Sequence, residues 1–327
     1  MSGSEVSVLA AHCQWHGEQW LHCLKLYHTQ SLPHALLLAG PPGIGKKRFA
    51  YALAHSLLCE AEVDQACGQC KACRMLANDT HGDFKVLQPL EGSRQIKIDQ
   101  VRELLNFTAK TSSSGGYRIV IVHPADAMNN SAANSLLKTL EEPGEKTLII
   151  LVSDSVAGLM PTIRSRCQRI MFPLPKSAEV LPWLQAATAS ESLAEELLMV
   201  ADGQPLTALD YLNNDSLPLF ERMRQGLSAM LAGQISPLTL AEQWKDYELQ
   251  AIVDWLQREL YRLIKALMSG ANLPAYSMLS GVHVKALFTL YGELQDLSVK
   301  LRRGATPNRQ LSVEAFLLRG CELLVIK

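Results

Sequence analysis

The chain has 327 residues, 48% hydrophobic and 19% charged, with a formal net charge of −1. That length allows two or three domains around a sizeable core. The near-zero charge argues against a protein that grips nucleic acid by bulk electrostatics, and 6% aromatic residues argues against a surface of stacked bases. The start, MSGSEVSVLAAHCQW, lacks both a basic opening and a sustained apolar stretch, and no apolar run approaches ~18 residues. The expectation is a protein of the reducing cytoplasm with no membrane-spanning helix.

The first clear element is HALLLA (34–39), a short apolar run that reads as a buried strand. It leads into GPPGIGKK (40–47), and Lys46 to Leu58 then reads as a helix with Phe49, Leu53 and Leu57 at helical spacing. Cys59 to about Asp83 is a small insertion. Phe84–Leu87 is a second strand, Asp99 a plausible N-cap for the helix QVRELLNFTAK, and SSSGG (112–116) a turn. Arg118–Val122, Thr147–Val152 and Gln168–Phe172 are three more strands, with a helix over Asn130–Leu140. Strands alternating with helices predict a mainly parallel α/β sheet covered on both faces.

The pattern changes at Pro173-Leu174-Pro175, after which no convincing strand follows. Residues 177–213 hold short helical stretches with a break at Gly203-Gln204-Pro205, and a second break comes at Asn213–Pro218. Beyond it the chain is helical, notably over Leu249–Met268, Val282–Leu301 and Leu311–Ile326. The predicted domains are 1–174 with an insertion at 59–83, a small helical domain at 175–214, and an all-α domain at 215–327.

Four segments bear on chemistry. GPPGIGKK follows the phosphate-loop pattern G-x-x-x-x-G-K-[ST], in which backbone N–H groups cradle phosphates, the Lys reaches them and the final hydroxyl holds Mg²⁺. Gly40, Gly45 and Lys46 fit, but Lys47 stands in place of the hydroxyl residue. RIVIVHP (118–124) ends in His123 and Pro124 where an Asp-Glu pair would complete the metal site. With both metal ligands replaced, the chain is expected not to hydrolyse ATP by itself, because hydrolysis needs a metal clamp and an oriented water. The loop either still binds nucleotide through Lys46 and the helix N-terminus or stays empty. Lys47 brings charge to the metal's place but cannot orient a water.

Cys59, Cys67, Cys70 and Cys73 have the spacing C-x7-C-x2-C-x2-C, which suits a closed, structural Zn²⁺ site. The alternatives are four reduced thiols or a redox pair at one CxxC. In Arg164-Ser165-Arg166-Cys167, just before the last strand, an arginine is either solvated or reaches a neighbour's bound ATP. Asp126 reads as a turn or helix-start residue, Glu141-Glu142 as solvated or interfacial, and His123 as structural.

The stretches HALLLAGPPGIGK (34–46), the four-cysteine insertion, AANSLLKTLEEP (132–143) and PTIRSRCQR (161–169) together resemble the bacterial clamp-loader AAA+ subunits, and in order and spacing they cover most of the first 175 residues. That resemblance implies an AAA+ phosphate-loop module with Gly40, Gly43, Gly45 and Lys46 in its degenerate loop, a helical lid, and a collar domain that joins a ring of five subunits. It implies gamma or tau motor subunits and a delta opener as partners. Arg166 would then serve as a finger in the adjacent motor's ATP site, and the assembly would place a sliding clamp on primed DNA. Within the family, Lys47, the His123-Pro124 pair and the absence of an arginine at 203–206 favour a non-hydrolysing stator. The alternative is an active motor-like ATPase.

Overall fold

The computed structural model describes residues 11–61, 64–108, 111–112, 115–270, 276, 282–302 and 304–324. The chain divides into two compact units. One is Met1–Leu198 with Gly203–Leu209, and the other is Met199–Asp202 with Asp210–Lys327.

In the first unit five strands form one parallel sheet. They are β1 (Ala35–Ala39), β2 (Phe84–Leu87), β3 (Arg118–Val122), β4 (Thr147–Ser153) and β5 (Gln168–Met171), in the order β2-β3-β4-β1-β5. Every residue of β1, β3 and β4 is buried, as a strand with helices on both faces must be. Alternation sorts their side chains to opposite faces. Leu36, Leu38, Ile119, Ile121, Leu148 and Ile150 join Trp20, Phe49 and Leu53 in one core. Leu37, Val120, Val122, Ile149 and Leu151 join Val101, Leu104, Leu136 and Leu140 in the other. The first face carries the helices Gly17–His28 and Lys46–Leu58, the second Ile98–Thr108 and Asn130–Glu141. This is the parallel α/β sheet covered on both faces that the sequence predicts, and β5 lies at the sheet edge.

Two boundaries carry a local cause. Asn129 caps the helix Asn130–Glu141, its side chain accepting the Ala132 N–H at 2.9 Å. The helix predicted to start after Asp99 begins instead at Ile98. Gln100 reaches back to accept the Lys97 N–H at 3.0 Å, half of a capping box. Asp99 then lies in the first turn, where its charge suits the helix dipole. The last residues predicted for this helix, 109–110, lie outside the described residues.

The second unit is helical over Leu217–Leu231, Pro237–Gln243, Leu249–Ser269, Val284–Arg302 and Arg309–Leu324. The long helix Leu249–Ser269 buries Ile252, Leu256 and Leu263 along one stripe. It stops at Gly270, whose φ of 69° gives the left-handed C-terminal cap. Trp244 and Trp255 meet edge-on in this core, with centroids 5.9 Å apart. Among the described residues no helix is long and apolar enough to cross a membrane.

Candidate functional site

The phosphate loop leaves β1 at Gly40 and enters the helix Lys46–Leu58. Gly43 and Gly45 take φ of 68° and 96°, a region open to glycine at no steric cost. Space demands them too. A methyl group on Gly40 would lie 2.1 Å from the Phe172 carbonyl oxygen, one on Gly43 2.1 Å from Thr207 Oγ1, and one on Gly45 2.7 Å from Cys13 Sγ. The loop is thus packed from three directions. It is also fastened: the Leu206 N–H donates to the Gly43 carbonyl at 2.8 Å, and Trp15 Nε1 donates to the Ile44 carbonyl at 2.9 Å.

Lys46 does not project from the loop. It is 3% exposed. Its ammonium donates to the Gly40 carbonyl at 2.8 Å, to the Pro41 carbonyl, and to Asp154 Oδ1 at 2.6 Å. An ammonium has three protons to donate, so its own protein satisfies all of them. Asp154 directly follows β4, beside β1 in the sheet. Asp126 supports that strand end, its Oδ1 accepting the Ser153 hydroxyl at 2.9 Å and the Asp154 N–H at 3.3 Å. Asp126 is therefore a structural acceptor.

The position of the missing acids holds a neutral imidazole. Burial first, and the Lys47 ammonium second, push the His123 imidazole down to about 4, so it is neutral near pH 7. Lys47 itself lies over the Tyr51 ring, 5.9 Å from its centroid. His16 meets Phe49 and Phe172 edge-on across from Gly45, and burial pushes it too down to about 4. Burial raises the Cys13 thiol to about 11, so it is inert beside the loop.

The four cysteines of the insertion come together. Their sulfurs all lie within 4.8 Å of one another, with Cys59 to Cys70 at 3.9 Å and Cys67 to Cys73 at 4.0 Å. A tetrahedral metal with sulfur ligands at ~2.3 Å needs sulfurs ~3.8 Å apart, so the set fits a four-coordinate soft metal. Backbone N–H groups of Cys67, Cys70 and Cys73 point at Cys59, Cys67 and Cys70 sulfurs at 3.3–3.4 Å. Such donors offset thiolate charge, and those of Gln69 and Cys70 pull the Cys67 thiol down to about 6.

Arg166 sits between the short helix Pro161–Arg164 and the edge strand β5. Its side chain is 36% exposed. Nη2 meets Glu141 Oε1 at 2.6 Å, and Nη1 donates to the Thr162 carbonyl at 3.0 Å and to Ser165 Oγ at 3.4 Å.

The structure therefore brings Gly40, Gly43, Gly45 and Lys46 into one loop and the four cysteines into one cluster, and it places Arg166 apart at the sheet edge. Sequence reasoning missed Asp154, the Cys13–His16 segment and the residues at 204–207 that pack on the loop. Asp154 alone had a usable signal: it ends the strand next to β1, where a residue must border the loop.

Several known proteins match. The family model described as "DNA polymerase III, delta subunit" matches residues 16–176. The DNA polymerase III subunit delta' of Pseudomonas aeruginosa is 43% identical over 225 residues, 68% of this chain and 69% of that protein. The chain belongs to the DNA polymerase III delta' family. The delta' subunit of Escherichia coli is 29% identical over 88% of both chains, so the family likeness runs into the helical unit. The tau subunit of Bacillus subtilis is 28% identical over 68% of this chain but only 40% of its own length. The delta' relationship thus places the chain among the clamp-loader subunits of DNA polymerase III.

Proposed function

We propose that this delta' family chain is a non-hydrolysing stator of the clamp loader, assembled with gamma or tau motors and a delta opener in a five-membered ring. The observation that carries this reading is the make-up of the metal position, with Lys47 on the loop and His123-Pro124 at the end of β3. With Lys47 in place of the hydroxyl residue and His123-Pro124 in place of the acids, neither position supplies a Mg²⁺ ligand, and hydrolysis needs a metal clamp and an oriented water. The loop's glycines also serve close packing, at Gly40 against Phe172 and at Gly43 against Thr207.

Arg166 supports the second half of the proposal. It lies at the edge of the module, partly exposed, with a guanidinium shape suited to bridging phosphate oxygens. It acts in trans, stabilising charge on the γ-phosphate in the adjacent motor while the assembly loads a sliding clamp on primed DNA. Residues 175–214 act as the lid and 215–327 as the collar. The cysteine cluster holds one structural Zn²⁺, whose binding supplies folding energy to an insertion with little core of its own.

The deciding experiment is co-purification with the motor and opener subunits, with ATPase measured before and after mixing. The isolated chain is expected to show no turnover above background. Turnover by the isolated chain that disappears in Lys46→Ala would replace this reading with the motor-like one.

A further inference from the structure

We infer that Glu141 is the positioning residue for Arg166, holding its guanidinium in the orientation in which it meets a neighbour's triphosphate. The inference rests on the reading of Arg166 as a trans-acting finger and goes one residue beyond it. Two separately anchored elements converge on one side chain. Glu141 is the last residue of the helix Asn130–Glu141, fixed at its start by the Asn129 cap and along its length by buried Ala132, Leu136 and Leu140. Thr162 and Ser165 flank Ile163, which is fully buried. The carboxylate takes Nη2 while Thr162 and Ser165 take Nη1.

Holding both ends of a planar guanidinium fixes its plane as well as its place. A guanidinium carries five N–H donors, so these acceptors leave donors for an incoming phosphate. The contact has little stabilising purpose, since Glu141 is 50% exposed and Arg166 36% and water screens such a pair. What it does supply is order. A free arginine samples many rotamers, and a group that must stabilise developing charge loses rate when it has to be oriented afresh at each turnover.

The test uses the reconstituted loader, with DNA- and clamp-stimulated ATPase resolved into kcat and KM. The variants are Arg166→Ala, Glu141→Ala, Glu141→Gln and the double Arg166→Ala/Glu141→Ala. Glu141→Ala is expected to reproduce most of the kcat loss of Arg166→Ala, with KM for ATP little changed and a wild-type melting temperature. Glu141→Gln keeps an acceptor oxygen and is expected to restore most of that kcat. The double variant is expected to be no worse than Arg166→Ala alone. If Arg166→Ala is impaired while Glu141→Ala matches or exceeds wild type, the inference fails and the finger reading stands. It fails likewise if Glu141→Gln is as impaired as Glu141→Ala, if KM carries the change, or if the two losses add. If Arg166→Ala itself turns over normally, the underlying reading fails.

Discussion

Lys46 and Arg166 are cations on the same small sheet, and their surroundings are opposite. Lys46 is buried in a loop whose own carbonyls and Asp154 satisfy it. Arg166 stands at the edge, held from two sides yet with part of its surface open. Both cations hold an ion pair of 2.6 Å, but the three protons of Lys46 are all engaged, whereas the five N–H donors of Arg166 exceed those that Glu141, Thr162 and Ser165 accept. Charge alone does not make a phosphate site. What decides is whether the protein has already spent the donor on itself.

The largest expected effect lies on the Arg166 side. On the finger reading, Arg166→Ala should cost about a thousandfold or more at one motor site, the range seen for trans-acting arginines in GTPases. On the same reading, total turnover of a loader with several ATP sites would fall less, because Arg166 faces one of them. Steady-state ATPase of the reconstituted complex measures it, and an unchanged rate would erase the contrast.

Next comes the insertion, which branches from the far end of the helix that begins at Lys46. Cys70→Ser should remove the metal and cost several kcal/mol of local stability, roughly the scale of a lost structural metal. Metal analysis and limited proteolysis at 59–83 would report it. The Arg166–Glu141 pair lies outside this segment, so retention of wild-type metal content would count against the site without touching the finger.

Acid should separate the two cations further. His16 and His123 neighbour the loop, and His55 lies in the same helix; all three are held near 4, mainly by burial. Their unfolded value is about 6.5, so the unfolded chain binds more protons between these pH values and stability falls as pH drops from about 6.5 to 4. Each contributes on the order of 1–3 kcal/mol. In the helical unit the sign reverses: burial raises Asp202 to about 6, so its unfavourable contribution develops as pH rises from about 4 to 6. Hydrogen exchange at pH 7 and pH 5 should show the loop side of the sheet loosening in acid before the helical unit does. Equal protection loss in both would contradict this.

The smallest effect is at the loop. Asp154→Asn removes the counter-charge of a buried ammonium. Full burial of both partners would make this a loss of about 3–5 kcal/mol, but the Asp154 side chain is 31% exposed. We therefore expect about 1–2 kcal/mol, read by denaturant midpoint. No loss at all would mean that Lys46 is satisfied by its carbonyls alone.

The fold was legible because its central strands are short, mostly apolar and separated by helical periodicity. The cysteine cluster was legible from spacing, and the glycines from the loop pattern. The helix Gly17–His28 escaped the sequence reading although Trp20, Cys23 and Leu24, all buried, fall at helical spacing; Gly17 and scattered histidines masked it. What no local pattern encodes is the meeting of Lys46 with Asp154 across 108 residues, or of Arg166 with Glu141. Those depend on which strands become neighbours, and strand order is a property of the whole sheet.

The Leu206 N–H bond to the Gly43 carbonyl, with Thr207 pressed against the same glycine, bears on motion. In a nucleotide-driven machine a bound ligand pries such a joint between two settings, because it prefers one of them. Here the joint is fastened directly, backbone to backbone. On the stator reading, such a fastening would give neighbouring subunits something stationary to push against.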